Sequence, residues 1–154
     1  MPSKKPIFKK AFETIDRYEE CTWLGNDKPI FENKHTAVFK DKYPVTEGHI
    51  LFVPKTQTWE DLAKCYKAAY AWGYDWVDKE YCTGYNIGQN IGSDAGQTIM
   101  WPHVHLIPRR KGDMEDPKGG VRHVIPSKGN YTKDSYFLPT TTKNDLLQME
   151  LFDQ

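Results

Sequence analysis

The stretch from Thr58 to Val77 constrains this chain more than any other. Trp59, Leu62, Ala63, Tyr66, Ala69, Tyr70, Gly73, Trp76 and Val77 recur at steps of three and four, the period that lines one face of an α-helix. Thr58 supplies the side-chain oxygen of an N-cap immediately before them. A wide apolar stripe on one long helix needs a broad surface to pack on, and the flanking segments read as strands that supply it. Residues 35–40 and 49–53 are two of them, joined by YPVTEG, where Pro44 and Gly48 mark a hairpin turn. Residues 81–86 and 99–107 are two more, separated by GQNIGSDAGQ, a glycine-rich exposed loop of the kind that lets backbone amides approach a ligand. A short helix over residues 12–21 and a short strand at VRHVIP complete an α+β pattern.

At 154 residues the chain fits one domain. Residues 1–126 read as that domain, and residues 127–154, polar and turn-rich, as a C-terminal tail. The 21 basic and 21 acidic side chains cancel, which argues against broad electrostatic adhesion to nucleic acid. No apolar run is long enough to span a membrane, and the basic N-terminus lacks the apolar core of a secretory signal. The three cysteines, Cys21, Cys65 and Cys82, are odd in number and far apart. They form no CxxC zinc pair, disfavour a disulfide framework and suit a reducing, cytoplasmic compartment.

The chemistry is expected on GQTIMWPHVHLIPRR. In a strand, Ile99, Trp101, His103, His105 and Ile107 share one face, while Met100, Val104 and Leu106 turn toward the helix. Two imidazoles side by side are open to three readings. They are hydrogen-bonded structural histidines, or metal ligands, or a nucleophile and its partner acting on phosphorus. The metal reading needs a third ligand, and no nearby Cys, Asp or Glu supplies one at a familiar spacing.

Several ordered segments carry a resemblance. Gly96, Gln97 and Thr98 precede Trp101, His103 and His105, which run into Ile107, Pro108 and Arg109; upstream lie GYNIGQNIGSDAGQ and FKDKYPVTEGHILFVPK with its Gly-His pair. Over residues 35–126 the chain resembles the histidine triad superfamily. That resemblance implies an antiparallel five-stranded sheet with one long helix across it, paired into a homodimer. It implies a nucleotide hydrolase, with His103 as nucleophile on an α-phosphate, a covalent nucleotidyl-histidine, and His105 bonded to phosphate near the scissile bond. Gln97 and Thr98 match positions that contact phosphate or leaving group. Asp41 matches a residue that binds both ribose hydroxyls, Asn90 an amide on the loop, and His49 a histidine supporting the nucleophile. His35 and His123 match nothing and are expected to face solvent.

The first triad position holds Trp101 in place of histidine. In the family that residue orients the nucleophile through its backbone carbonyl, which survives the substitution. Pro102 is similar to the His-Pro-His strand of hexose-phosphate nucleotidyltransferases, but those carry glutamine where this chain has His105, which favours hydrolysis. Family substrates include dinucleoside polyphosphates, nucleoside phosphoramidates and adenylated DNA ends. A nucleotidyltransferase, an adenylated-DNA-end hydrolase and a non-catalytic nucleotide-binding module are the alternatives. No protein-bound metal or cofactor is expected, although magnesium can arrive on substrate phosphates. Finally, Gln148, Leu151 and Phe152 lie in QMELF near the C-terminus, similar to the peptide that docks on bacterial-type sliding clamps, with packing on the protein's own surface as the alternative.

Overall fold

The computed structural model describes residues 15–21, 23–24 and 28–133. The QMELF segment lies outside them. The chain forms two compact units, divided between Glu115 and Asp116.

The first unit is built on a five-stranded sheet. Its strands are β1 (Phe31–Glu32), β2 (Thr36–Lys40), β3 (Ile50–Pro54), β4 (Gly84–Gly88) and β5 (Val104–Arg109), in the order β1-β2-β3-β5-β4. Every neighbouring pair is antiparallel. A single long helix, α1 (Trp59–Asp78), connects β3 to β4 and lies across one face. This is the α+β architecture that the resemblance implied.

Both faces of the sheet are covered, which is why AVF and ILFVP are continuous apolar runs and not alternating ones. Val38, Ile50, Phe52, Val104 and Leu106 pack on Cys65 and Ala69 of α1. Ala37, Phe39, Leu51 and Val53 point the other way, into a second cluster with Tyr18, Cys21, Trp23 and Trp101. Thr58 caps α1 as expected, accepting a hydrogen bond from the Asp61 amide at 3.3 Å.

The contact line on α1 is narrower than the stripe the sequence suggested. It runs along Cys65, Ala69 and Gly73, with Leu62, Tyr66, Trp72 and Trp76 beside it. Trp59, Tyr70 and Val77 are exposed. Gly73 sits against the Tyr85 ring so closely that a Cβ there would come within 2.7 Å of it.

Four other elements differ from expectation. β5 begins at Val104, not Ile99, because Pro102 has no N–H to give to a ladder. β4 is shifted to Gly84–Gly88. Residues 15–21 hold only a 3₁₀ turn at Tyr18–Glu20, residues 12–14 being outside the described set. In the second unit, Gly120–Val124 is a 3₁₀ turn and no strand, since its groups bond locally: His123 Nε2 donates to the Lys118 carbonyl and the Arg122 guanidinium to that of Gly129. Among the described residues no helix is long and apolar enough to cross a membrane.

Candidate active site

His103 lies just before β5, on the sheet face away from α1. Its ring is nearly buried, with the edge of the Trp23 indole 4.9 Å away between centroids. Its Nδ1 lies 2.9 Å from the Trp101 carbonyl oxygen. A carbonyl can only accept, so Nδ1 carries the hydrogen and Nε2 is left with a free lone pair. Burial pushes the His103 imidazolium below its ordinary range, keeping the ring neutral. The Trp101 side chain has a separate task. It is buried in the core beneath the site, and its indole N–H donates to the Pro54 carbonyl at 2.8 Å.

His105, on β5 opposite Leu51 of β3, places its ring 5.1 Å from that of His103. Its Nδ1 is 2.9 Å from Nε2 of His49, the residue just before β3. His49 is thus set against His105. Its other nitrogen, Nδ1, accepts from the Val45 backbone amide at 3.2 Å. Because an amide only donates, His49 holds its hydrogen on Nε2 and donates to His105 Nδ1, which leaves the His105 hydrogen on Nε2. That atom is buried with no partner among the described residues. Burial lowers both pKa values, and each ring also feels a weaker opposing pull from Asp41.

Gly48 makes the turn into β3 possible. Its φ of 88° is in the left-handed region, and a Cβ would meet Pro108 at 3.2 Å. Asp41, at the start of the same turn, accepts from the Tyr43 amide on Oδ1 and holds Oδ2 at 3.4 Å from His49 Nε2 and 3.8 Å from His105 Nδ1. The fold therefore gathers Asp41, His49 and His105 into a group with the donor set of a metal site, which local spacing along the strand did not reveal. Their separations admit a cation at about 2 Å from all three. The hydrogen on His49 Nε2 does not, since a ligating nitrogen needs its lone pair. The trio does not fit a resident metal in this arrangement.

The glycine-rich loop folds around Gln97. Its carboxamide accepts from the Gly92 amide at 2.9 Å and donates to the Ile99 carbonyl at 3.0 Å, bracing a 3₁₀ turn at Ser93–Ala95. Thr98 is exposed, and Asn90 is half-buried at the other end of the loop. His35 is not simply solvent-facing: its Nδ1 is 2.8 Å from Asp61 Oδ1, at the start of α1. His123 is half-buried on the Lys118 carbonyl. Two participants escaped sequence reasoning altogether. The Val45 amide is a main-chain group that no residue type advertises, and Trp23 acts only through packing.

The sequence profile of the HIT domain family matches residues 25–112. An uncharacterised HIT-like protein of Methanocaldococcus jannaschii is 34% identical over 104 residues, covering 63% of this chain and 81% of its own. The asymmetrical bis(5'-nucleosyl)-tetraphosphatase of Schizosaccharomyces pombe is 31% identical over 109 residues, covering 66% of this chain and 59% of its own. Among solved structures, a zinc-bound histidine triad family protein from Mycobacterium smegmatis superposes with a TM-score of 0.54 at 29% identity, over 60% of this chain and 74% of that one. Some members of the group are thus dinucleoside polyphosphate hydrolases. With more than half its length matched by the family profile, the chain belongs to the HIT domain family.

Proposed function

We propose that this chain is a nucleotide hydrolase acting on the α-phosphate of a dinucleoside polyphosphate or related conjugate. The observation that carries the reading is the 2.9 Å bond from His103 Nδ1 to the Trp101 carbonyl, which aims an unprotonated Nε2 away from the strand. Nε2 attacks phosphorus, forming a P–N bond while the P–O bond to the leaving group breaks and its electron pair departs on oxygen. Water then attacks the nucleotidyl-histidine, the P–N pair returns to Nε2, and the water proton passes to solvent.

His105 donates a hydrogen bond from Nε2 to the phosphate or leaving oxygen. An N–H buried without an acceptor costs about 1–3 kcal/mol, and an arriving oxyanion recovers it. A neutral imidazole is a poor source of a whole proton, which suits an anhydride, whose leaving group departs as an anion, better than a phosphoramidate. Asp41 takes the ribose hydroxyls, while Asn90, Gln97 and Thr98 meet the phosphates. His49 orients His105, and Trp101 orients His103. Magnesium enters on the substrate's phosphates, and no protein-held metal takes part.

A second copy of the chain is the expected partner. β4 is an edge strand, and Tyr70 and Tyr74 stand exposed on the neighbouring helix. The cytoplasm is the expected compartment, residues 1–126 the catalytic domain, and residues 127–154 a C-terminal tail.

Incubation with diadenosine tetraphosphate followed by chromatography tests the reading. AMP and ATP are expected. Nucleotide binding by the folded protein without any product, across a panel of nucleotide conjugates, would make it a binding module. Product formation only with an added phosphorylated acceptor would make it a transferase.

A further inference from the structure

The Val45 main-chain amide sits in the exposed hairpin turn, yet it contacts the innermost histidine of the site. We infer that this amide is a positioning group: by donating to His49 Nδ1 it fixes the hydrogens of His49 and His105, and thereby keeps His105 a donor and the Asp41–His49–His105 trio closed to cations.

The inference follows from counting hydrogens. A neutral imidazole has one N–H. Two arrangements satisfy the 2.9 Å contact between His49 and His105. In one, His49 donates and His105 holds its hydrogen on Nε2, toward the reacting phosphate. In the other, His105 donates from Nδ1, and His49 must carry its hydrogen on Nδ1. The Val45 amide lies 3.2 Å from that same nitrogen, so the second arrangement brings two N–H groups face to face. Asp41 does not reverse the choice. Its Oδ2, 3.4 Å from His49 Nε2, is closer to the hydrogen in the first arrangement than the 3.8 Å contact with His105 Nδ1 is in the second. One backbone hydrogen bond therefore decides which face of His105 can donate.

The cation consequence is independent of catalysis. With its hydrogen on Nε2, His49 has no lone pair toward Asp41 and His105. Remove the Val45 N–H, and His49 can move its hydrogen to Nδ1, which opens Nε2. With the His105 hydrogen kept on Nε2, a cation can then take the facing lone pairs of both rings and Asp41, three donors around a point at zinc-bonding distance.

Part of this rests on the hydrolase reading, namely that His105 faces the substrate. The test does not. Two-bond ¹H–¹⁵N correlation of the unliganded wild-type protein at neutral pH is expected to show His49 and His105 both protonated on Nε2, and His103 on Nδ1. Val45→Pro removes the amide hydrogen, and Val45→Ala keeps it. In Val45→Pro, zinc binding, measured by competition with a chromogenic chelator, is expected to tighten at least about tenfold, with the His49 hydrogen on Nδ1 in the zinc-loaded protein. Adding His49→Asn should abolish that gain. Val45→Ala is expected to keep the wild-type hydrogen positions. A wild-type spectrum with His49 protonated on Nδ1 overturns the inference, as does a folded Val45→Pro that binds zinc no more tightly than wild type. If Val45→Pro fails to fold, the wild-type spectrum decides alone. None of these readings needs turnover, so absence of hydrolase activity would leave them intact.

Discussion

Trp101 and His103 are joined by a bond that does not depend on the first of them being histidine: the main-chain carbonyl of Trp101 accepts from Nδ1 of His103 at 2.9 Å. The indole of Trp101 meanwhile points into the core, where it is tied to the Pro54 carbonyl and packs near Tyr18. Orientation and packing are thus separable functions of one residue.

Trp101→His and Trp101→Ala follow from that separation. Trp101→His keeps the carbonyl and should keep turnover. Trp101→Ala keeps the carbonyl but empties a large buried volume, at a cost of about 3–5 kcal/mol. Chemical denaturation of both variants, alongside kcat measured where each is still folded, checks this. A folded Trp101→His with no activity would give the indole a chemical role.

Gly73→Ala should destabilise without touching the chemistry. The added methyl meets the Tyr85 ring at 2.7 Å in a packed helix–sheet contact, and overpacking of this kind costs roughly 1–3 kcal/mol. A lowered Tm with unchanged KM is the expected result.

The pH dependence has a definite sign. His49, His103 and His105 are all held below the ordinary histidine value of 6.5, chiefly by burial. Each is neutral when folded and takes up a proton more readily when unfolded. Their contribution to stability is therefore fully present above pH 6.5 and is lost as pH falls through the lowered folded-state values. Activity has the same sense, since a protonated His103 has no lone pair. Both kcat/KM and Tm should be level around neutrality and decline on the acid side below 6.5. An acid limb centred above 6.5 would contradict the neutral, buried nucleophile.

Much of this fold was legible because its signals are local. The Thr58 cap, the hairpin glycine and the apolar runs at residues 37–39 and 50–53 each act over a few residues. The stripe on α1 was drawn too wide because Trp59, Tyr70 and Val77 are apolar yet exposed, while Cys65 and Trp72, outside the stripe, carry contacts. The start of β5 was missed because alternation continues through Pro102, although the ladder cannot. At the site, His103 and His105 announce themselves by spacing. Their supporters do not: Asp41 and His49 arrive from β2 and β3 through sheet register, and Val45 acts through its main chain alone.

The central claim is that His103 is the nucleophile, and turnover of His103→Ala tests it most directly. With the fold confirmed by circular dichroism and nucleotide binding retained, hydrolysis of diadenosine tetraphosphate should fall on the order of a thousandfold or more, because the covalent step is gone. A folded His103→Ala that hydrolyses the substrate at a rate comparable to wild type would contradict the account.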